Sequence, residues 1–433
     1  EPESYSSEAI QLEHDIRRFI NIQEAHGAPF DTQKARELYK QVKADYDQKW
    51  EAVKDLFPDK VEETVFVPKV NSTKFGYQKG VPKTKTIITA FNPGSRQQLI
   101  DFFKSKYNWE PVAFTEKGNP EIGYEVLEKL EFPEAKILAE LFDMKKLMGT
   151  LYDGDNGWLK MVKDNRIHGR VITNGCVSGR ASHYKPNLGN VPNETAYKGR
   201  ECRELFASLD PAYDIVGGDA AAIQVRLLAH YLHFWDEGEY AHEAVNGDIH
   251  TKNMNAFGLT HRGTAKTVFF AMIFGAGASK LGRTVEPTST KERAEAIGKE
   301  IINNFKKNIP AYDHLSRTVK NKLYQSGYLS GLDGRKLIPR SKHAGLCTLI
   351  QGAEAVVMKK ALTLIHKAII EEKLDAKPIC WVHDEAELLV HKSNSQRVAQ
   401  LIPEKIKEAG VHFKLKVPMD GTGKIGNNWY DVH

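Results

Sequence analysis

Cysteine is scarce in this chain. There are four, Cys176, Cys202, Cys347 and Cys380. No two form a C-x-x-C pair, and no histidine cluster completes a zinc pattern, so neither a disulfide scaffold nor a zinc module is expected. The pattern fits a reducing cytoplasm. Long apolar runs are also missing, and no segment has the length of a bilayer span. The first residues, Glu1 to Ser7, resemble neither a signal peptide nor a transit peptide. The chain opens on Glu1 rather than Met, as expected of a fragment or a processed product. No internal repeat and no low-complexity stretch is present. Neither charge sign dominates: 61 Lys plus Arg face 56 Asp plus Glu. That balance permits a nucleic-acid partner without demanding one.

What is there is an ordinary folded composition, 41% hydrophobic and 27% charged. At 433 residues the chain is long enough for roughly two to four structural units. Residues 8–26 predict a helix, with Leu12, Ile16, Phe19 and Ile20 at helical spacing. Gly27-Ala28-Pro29 breaks it. Asp31 is placed to cap a longer helix over 31–57. Its stripe runs Ala35, Leu38, Tyr39, Val42, Tyr46, Trp50, Val53 and Phe57. Such a helix is about 40 Å long, and its Lys- and Glu-rich face predicts a projecting helical hairpin.

Residues 64–100 contain no acid. They carry Lys69, Lys74, Lys79, Lys83, Lys85 and Arg96, interleaved with Phe66, Phe75, Tyr77 and Phe91. A solvated loop with locally packed aromatics and a flexible basic surface for phosphates both fit. Residues 134–150 read as helix and 166–192 as short strands and loops. Ile215-Val216-Gly217-Gly218-Asp219 reads as a strand, with a helix from Ala220 to Phe234. Residues 240–330 are mostly helical, and Gly331 to Arg335 is a turn. A long helix follows from about Leu346 to Glu371. Ile379 to His391 reads as two strands joined around His383-Asp384-Glu385.

Two constellations carry chemistry. Asp219 ends an apolar strand, where a lone Asp is more often a helix cap. Asp384-Glu385 sits at a hairpin tip, where acids are ordinary turn residues. Together they place carboxylates from two strand ends side by side in one sheet. Clustered carboxylates repel unless hard cations neutralise them, and Mg²⁺ is the usual solution. The second constellation is Arg262-x-x-x-Lys266-x-x-x-Phe270-x-x-x-Phe274-Gly275. Steps of four drift slowly around a helix, so Arg262, Lys266 and Phe270 share one face. Two cations followed by an aromatic suit a triphosphate and a stacked base. An amphipathic helix with a basic end fits the same spacing.

These segments resemble the DNA polymerase I family. Gly218-Asp219-Ala220-Ala221-Ala222-Ile223-Gln224-Val225-Arg226 is similar to its motif A. Arg262 to Gly275 is similar to motif B, and Val382-His383-Asp384-Glu385 to motif C. Between them, Ser178-Gly179-Arg180-Ala181-Ser182, Pro186-Asn187-Leu188, Asp248-Ile249-His250-Thr251, Leu332-Asp333-Gly334-Arg335 and Gln351-Gly352 have family counterparts in the same order. Gly238 to Glu243 and Asn246 to Asn253 resemble the replicative polymerases of short-tailed bacteriophages. The likeness covers nearly the whole chain.

The resemblance implies an α/β (α+β) right-hand polymerase fold, with an antiparallel-sheet palm and helical fingers and thumb. The thumb is expected over 1–160, with a basic insertion around 58–96. The palm is expected over 161–231 and 343–433, and the fingers over 232–342. Template-directed extension of a primer 3′-hydroxyl with dNTPs is implied, by two-metal-ion chemistry. Asp219, Asp384 and the Ala220 carbonyl are expected to hold two Mg²⁺, with Glu385 in support. Arg262, Lys266 and His250 are expected on the triphosphate, Lys266 as general acid. Phe270, Gln224 and Phe274 are expected around the sugar and base. Arg180, Asn187, Gln351 and His383 are expected to face the primer-template DNA. A processivity factor is an expected partner of the phage branch, and a membrane is not. The host cytoplasm is the expected location for a phage-encoded chain. No proofreading nuclease motif is expected.

The sequence departs from the family at four places. Gln224 stands where the family usually has Glu, which excludes a 2′-hydroxyl. Phe274 stands where it has Tyr, whose hydroxyl bonds that Glu. Cys347 replaces an Asn and Gly189 a Gln. The first two changes are expected to compensate, because a neutral Gln without a tyrosine partner costs less to bury than Glu. Phe270 implies poor use of dideoxynucleotides, and 58–96 is expected to touch duplex DNA. A single-subunit RNA or mixed-sugar polymerase, and a non-catalytic nucleic-acid-binding relative, remain as alternatives.

Overall fold

The computed structural model describes residues 6–111, 120, 122–287 and 289–433. They divide into two compact units, one made of residues 39–149 and one of the flanking chain. No helix among the described residues is long and apolar enough to cross a membrane.

The flanking unit is built on a four-stranded antiparallel sheet. Its order is Ala376–Val382, Glu385–His391, Tyr213–Asp219, Lys424–Gly426. The two central strands alternate poorly. Val216 and Leu388 face each other in register and are both fully buried, as expected for strands covered on both sides. Gly218 is required by close approach. A Cβ there would lie 2.0 Å from the Thr422 carbonyl oxygen. Ser7–His26 and Lys392–His412 pack on this sheet, and Gly345–Glu371 packs on both of those helices. The Ser6 hydroxyl caps the first of these helices, accepting from Ala9 N, and Gly27 at φ 70° ends it.

The helix expected from Ala220 begins at Ile223. The amides of Ala220 and Ala221 donate instead to the carbonyls of Asp384 and Asp420, at 3.0 and 2.9 Å. Those long-range bonds take residues 220–222 out of the helix, and Ala222 turns the chain at φ 49°. Residues 166–192 form short paired strands, Arg170–Ile172 with Ser182–Tyr184. The segment expected to be helical contains Glu239–Asn246, Ile249–Phe257, Arg262–Ile273, Ala278–Val285, Lys291–Asn308 and Pro310–Ser326. Phe257, Phe305 and Tyr312 form its aromatic centre, with ring centroids 4.5 and 4.9 Å apart.

Thr32–Val53 is the expected long helix, with Asp31 accepting from Lys34 N at 2.9 Å. It ends in a single 3₁₀ turn at Lys54–Leu56. The 39–149 unit has its own core of Phe57, Leu99, Ile100, Phe103, Leu127 and Leu138. Phe57 stacks on Phe91 at 4.8 Å and Tyr107 on Phe132 at 4.0 Å.

The basic stretch expected to be a loop is partly a β-hairpin. Lys60–Phe66 pairs with Lys83–Thr89, and Arg96–Tyr107 is a helix. Val61, Thr64, Val65, Thr84, Thr86, Ile87 and Ile88 supply the β-branched residues that stiffen such strands. The interspersed lysines hid that pattern. Nearly every position of both strands is exposed.

Candidate active site

Asp219 and Asp384 meet at the open end of the central strands. Asp219 closes its strand in register with Glu385. Asp384 lies one residue earlier, in the turn. His383 takes a left-handed φ of 54° there, and its carbonyl accepts from Trp381 Nε1 at 2.9 Å. Trp381 is buried, so the turn is tied to the core. Thr422 holds the other acid. Its hydroxyl donates to Asp219 Oδ1, and its amide donates to the Asp219 carbonyl at 2.9 Å.

Burial pushes the Asp384 carboxyl up to about 7, and the nearby charges of Glu354 and Asp219 add to the push. An ionised cluster here therefore calls for a cation. Among the described residues, no three His, Cys, Asp or Glu side chains form a metal-holding group. Asp219 and Asp384 supply two hard-oxygen carboxylates, which would leave most of a cation's coordination to phosphate and water. That fits Mg²⁺.

Glu385 faces elsewhere. Its Oε1 accepts from Trp429 Nε1 at 2.6 Å and from the His433 ring at 2.8 Å. Burial would raise this carboxyl, but the His433 contact and the other bonds hold it at about 2. Glu387 beneath it is fully buried and pushed well above the carboxylate range, by burial and by the Glu385 charge. Glu385 thus fastens the C-terminal segment around Trp429–Val432 to the strand Glu385–His391.

The helix Arg262–Ile273 presents Arg262, Lys266 and Phe270 along one face. Arg262 is forked by Asp248, Nε to Oδ2 at 2.8 Å and Nη2 to Oδ1 at 2.9 Å. Asp248 also caps the helix Ile249–Phe257, accepting from His250 N and Thr251 N. The hydrogen bond from Arg262 holds the Asp248 carboxyl far below its usual range. The His250 ring lies 6.0 Å from Phe270, which stacks 6.3 Å from Phe274. Burial, then the charges of Lys266 and Arg262, lower the His250 imidazole. Lys266 is exposed.

Arg180 joins the two constellations. Its guanidinium lies 6.0 Å from the Phe274 ring, and its Nη2 donates to Glu354 Oε2 at 2.5 Å. Gln224 Nε2 donates to that same oxygen at 2.9 Å. His383 is close enough that burial and the Arg180 charge lower its ring. Asn187 accepts from Gly189 N at 2.9 Å and lines a cleft with His183 and Lys185. Gln351 is half-buried on the Gly345–Glu371 helix.

The loop before Arg180 is anchored from below. Lys359 is fully buried, and its Nζ donates to the Gly179 carbonyl at 2.8 Å and pairs with Glu13. Glu13 also pairs with Arg335 at 2.9 Å, and Arg335 with Asp333 at 2.6 Å. Burial pushes the Lys359 amine down to about 8.

Glu354, Lys359 and Glu13 were not singled out from the sequence. Glu354 did leave a signal, as the one acid within the apolar run Gly352 to Met358. A charge at such a position is rarely buried without a partner.

Comparison with known proteins matches residues 77–431 to DNA polymerase family A. The chain is 31% identical to the DNA-directed DNA polymerase of Enterobacteria phage T3, covering 99% of this chain and 71% of that protein. The figures for the DNA-directed DNA polymerase of Escherichia phage T7 are the same. Among solved structures it superposes on the POL domain of Pol1 from M. smegmatis, in complex with DNA primer-template and dNTP. The TM-score is 0.78 at 21% identity, over 97% of this chain and 70% of that one.

Proposed function

The chain belongs to DNA polymerase family A, and on that premise we propose that it extends a primer 3′-hydroxyl with dNTPs by two-metal-ion nucleotidyl transfer. It is a template-directed DNA polymerase with the α/β polymerase fold of that family. The observation that carries the chemistry is the placement of Asp219, at its strand's end, beside Asp384 in the adjoining turn, tied by the Ala220 N–H bond to the Asp384 carbonyl.

Asp219, Asp384 and the Ala220 carbonyl are the oxygens that would hold two Mg²⁺. When bound, these ions lower the pKa of the attacking hydroxyl and stabilise the leaving pyrophosphate. The protein's own part is positioning. Arg262 leaves Asp248 for the more highly charged triphosphate. Lys266, one turn on, sits to donate a proton to the leaving oxygen. His250 offers a ring N–H as a hydrogen-bond donor to the triphosphate. Phe270 supplies a flat apolar face for the base pair. Arg180, Asn187, Gln351 and His383 contact primer-template DNA. We assign residues 1–160 to a thumb, 161–231 and 343–433 to a palm, and 232–342 to fingers.

The test is primer extension on a DNA template with Mg²⁺, offering deoxynucleotides and ribonucleotides in parallel, beside Asp384→Ala. Template-dependent growth with deoxynucleotides, lost in the variant, supports the reading. Efficient growth with ribonucleotides moves it to a mixed-sugar polymerase. No growth with either sugar overturns it.

A further inference from the structure

Gln224 is the residue of motif A placed to exclude a ribose 2′-hydroxyl. A side-chain block works only if the side chain cannot step aside. Phe274, with no hydroxyl, has no hydrogen bond to give it. Gln224 is nevertheless anchored, by a residue on a different element. Its Nε2 donates to Glu354 Oε2 at 2.9 Å, and Arg180 Nη2 donates to the same atom at 2.5 Å. The Glu354 side chain is about 1% exposed and Arg180 14%.

We propose that Glu354 is the positioning residue for sugar discrimination, holding Gln224 and Arg180 in one buried carboxylate-centred triad. The inference rests on the polymerase reading above. Glu354 Oε2 accepts from both partners, so Gln224 turns its NH₂ toward Glu354. Its carbonyl oxygen is thereby fixed on the opposite side of the amide. One anchor settles both the rotamer and the flip of the blocking group. The same carboxylate balances the Arg180 guanidinium, which neutral Gln224 cannot do. The carboxylate expected in motif A has in effect moved to the Gly345–Glu371 helix, 130 residues along the chain.

The test measures kcat/KM for a dNTP and its matching rNTP in four proteins. They are the wild type, Glu354→Gln, Gln224→Glu, and the double variant that exchanges the two side chains. Thermal melting of each reports folding. In Glu354→Gln the preference for dNTP should fall about tenfold or more, through faster rNTP use. Gln224→Glu sets two carboxylates against each other, so its dNTP kcat should drop. The exchanged double variant again has one carboxylate and one amide, and should recover most of both losses. A purely structural role would slow both sugars in parallel and give no recovery. Equal sugar preference in wild type and Glu354→Gln overturns the inference and leaves the polymerase reading standing. A wild type that incorporates neither sugar overturns both.

Discussion

The backbone amide of Ala220 donates to the carbonyl of Asp384 at 3.0 Å. This bond links the residue after Asp219 directly to Asp384. It extends the strand pairing past Asp219 and holds both acids at the same end of the two central strands.

Burial of Asp384, with the charges of Glu354 and Asp219 beside it, has a measurable cost. The folded-state pKa of Asp384, about 7, lies above its unfolded value near 3.9. Protonated Asp384 therefore favours the fold, and this contribution is lost as pH rises through about 7. Asp384→Asn should abolish extension, yet melt higher than wild type at about pH 8 in chelator. Near pH 4 the two should melt together. Mg²⁺ should raise the wild-type melting temperature at about pH 8 and leave the variant unchanged. A variant that melts lower at about pH 8 would contradict the electrostatic account.

Glu13 neutralises two buried cations, Lys359 and Arg335, and Asp333 supports only the second at close range. Glu13→Ala leaves the fully buried Lys359 without its carboxylate. The expected loss is about 3 kcal/mol, the usual cost of breaking a buried pair from one side. Urea unfolding of the polymerising chain measures it directly. Because Lys359 also grips the Gly179 carbonyl, polymerisation should weaken even at temperatures where the variant is folded.

Asp248 has two jobs that can be separated. Asn caps a helix as well as Asp does, so Asp248→Asn should leave thermal stability near wild type. It removes the charge that forks Arg262. Arg262 is then free for the triphosphate, and KM for dNTP should fall a few-fold with kcat unchanged, since exposed pairs are weak. A raised KM in steady-state extension would show that the fork orders Arg262 for substrate.

The hairpin Lys60–Phe66 and Lys83–Thr89 sets Phe66, Lys83, Lys85 and Ile87 on one face, and Val61, Val65, Thr84 and Ile88 on the other. If this element lies on phosphates, replacing Lys69, Lys79 and Lys85 by Gln should weaken DNA binding similarly for every sequence. The slope of log K against log salt should shrink by about 2 to 3, near 0.9 per lost contact. Fluorescence anisotropy across a salt series reads the slope, and an unchanged slope removes the hairpin from the DNA.

The sequence by itself determined the order of the motifs, the Ile215 to Asp219 strand, the face shared by Arg262, Lys266 and Phe270, and the pair Asp219 and Asp384. The strand and the helix face each lie within one element, where periodicity and chain stiffness act directly, and the motif order and the two acids were legible through the family resemblance. Tertiary structure alone decided that Glu385 fastens Trp429 and His433, while Asp384 keeps the open edge. It alone paired the two lysine-bearing strands of the hairpin. It pulled Ala220 to Ala222 out of their helix through bonds to distant carbonyls. It also brought Glu354 to Gln224 and to Arg180, 130 and 174 residues away. Side chains so far apart in sequence meet only because several packed layers hold their backbones in place. A buried carboxylate then takes whichever donors those layers present, and no local pattern names them.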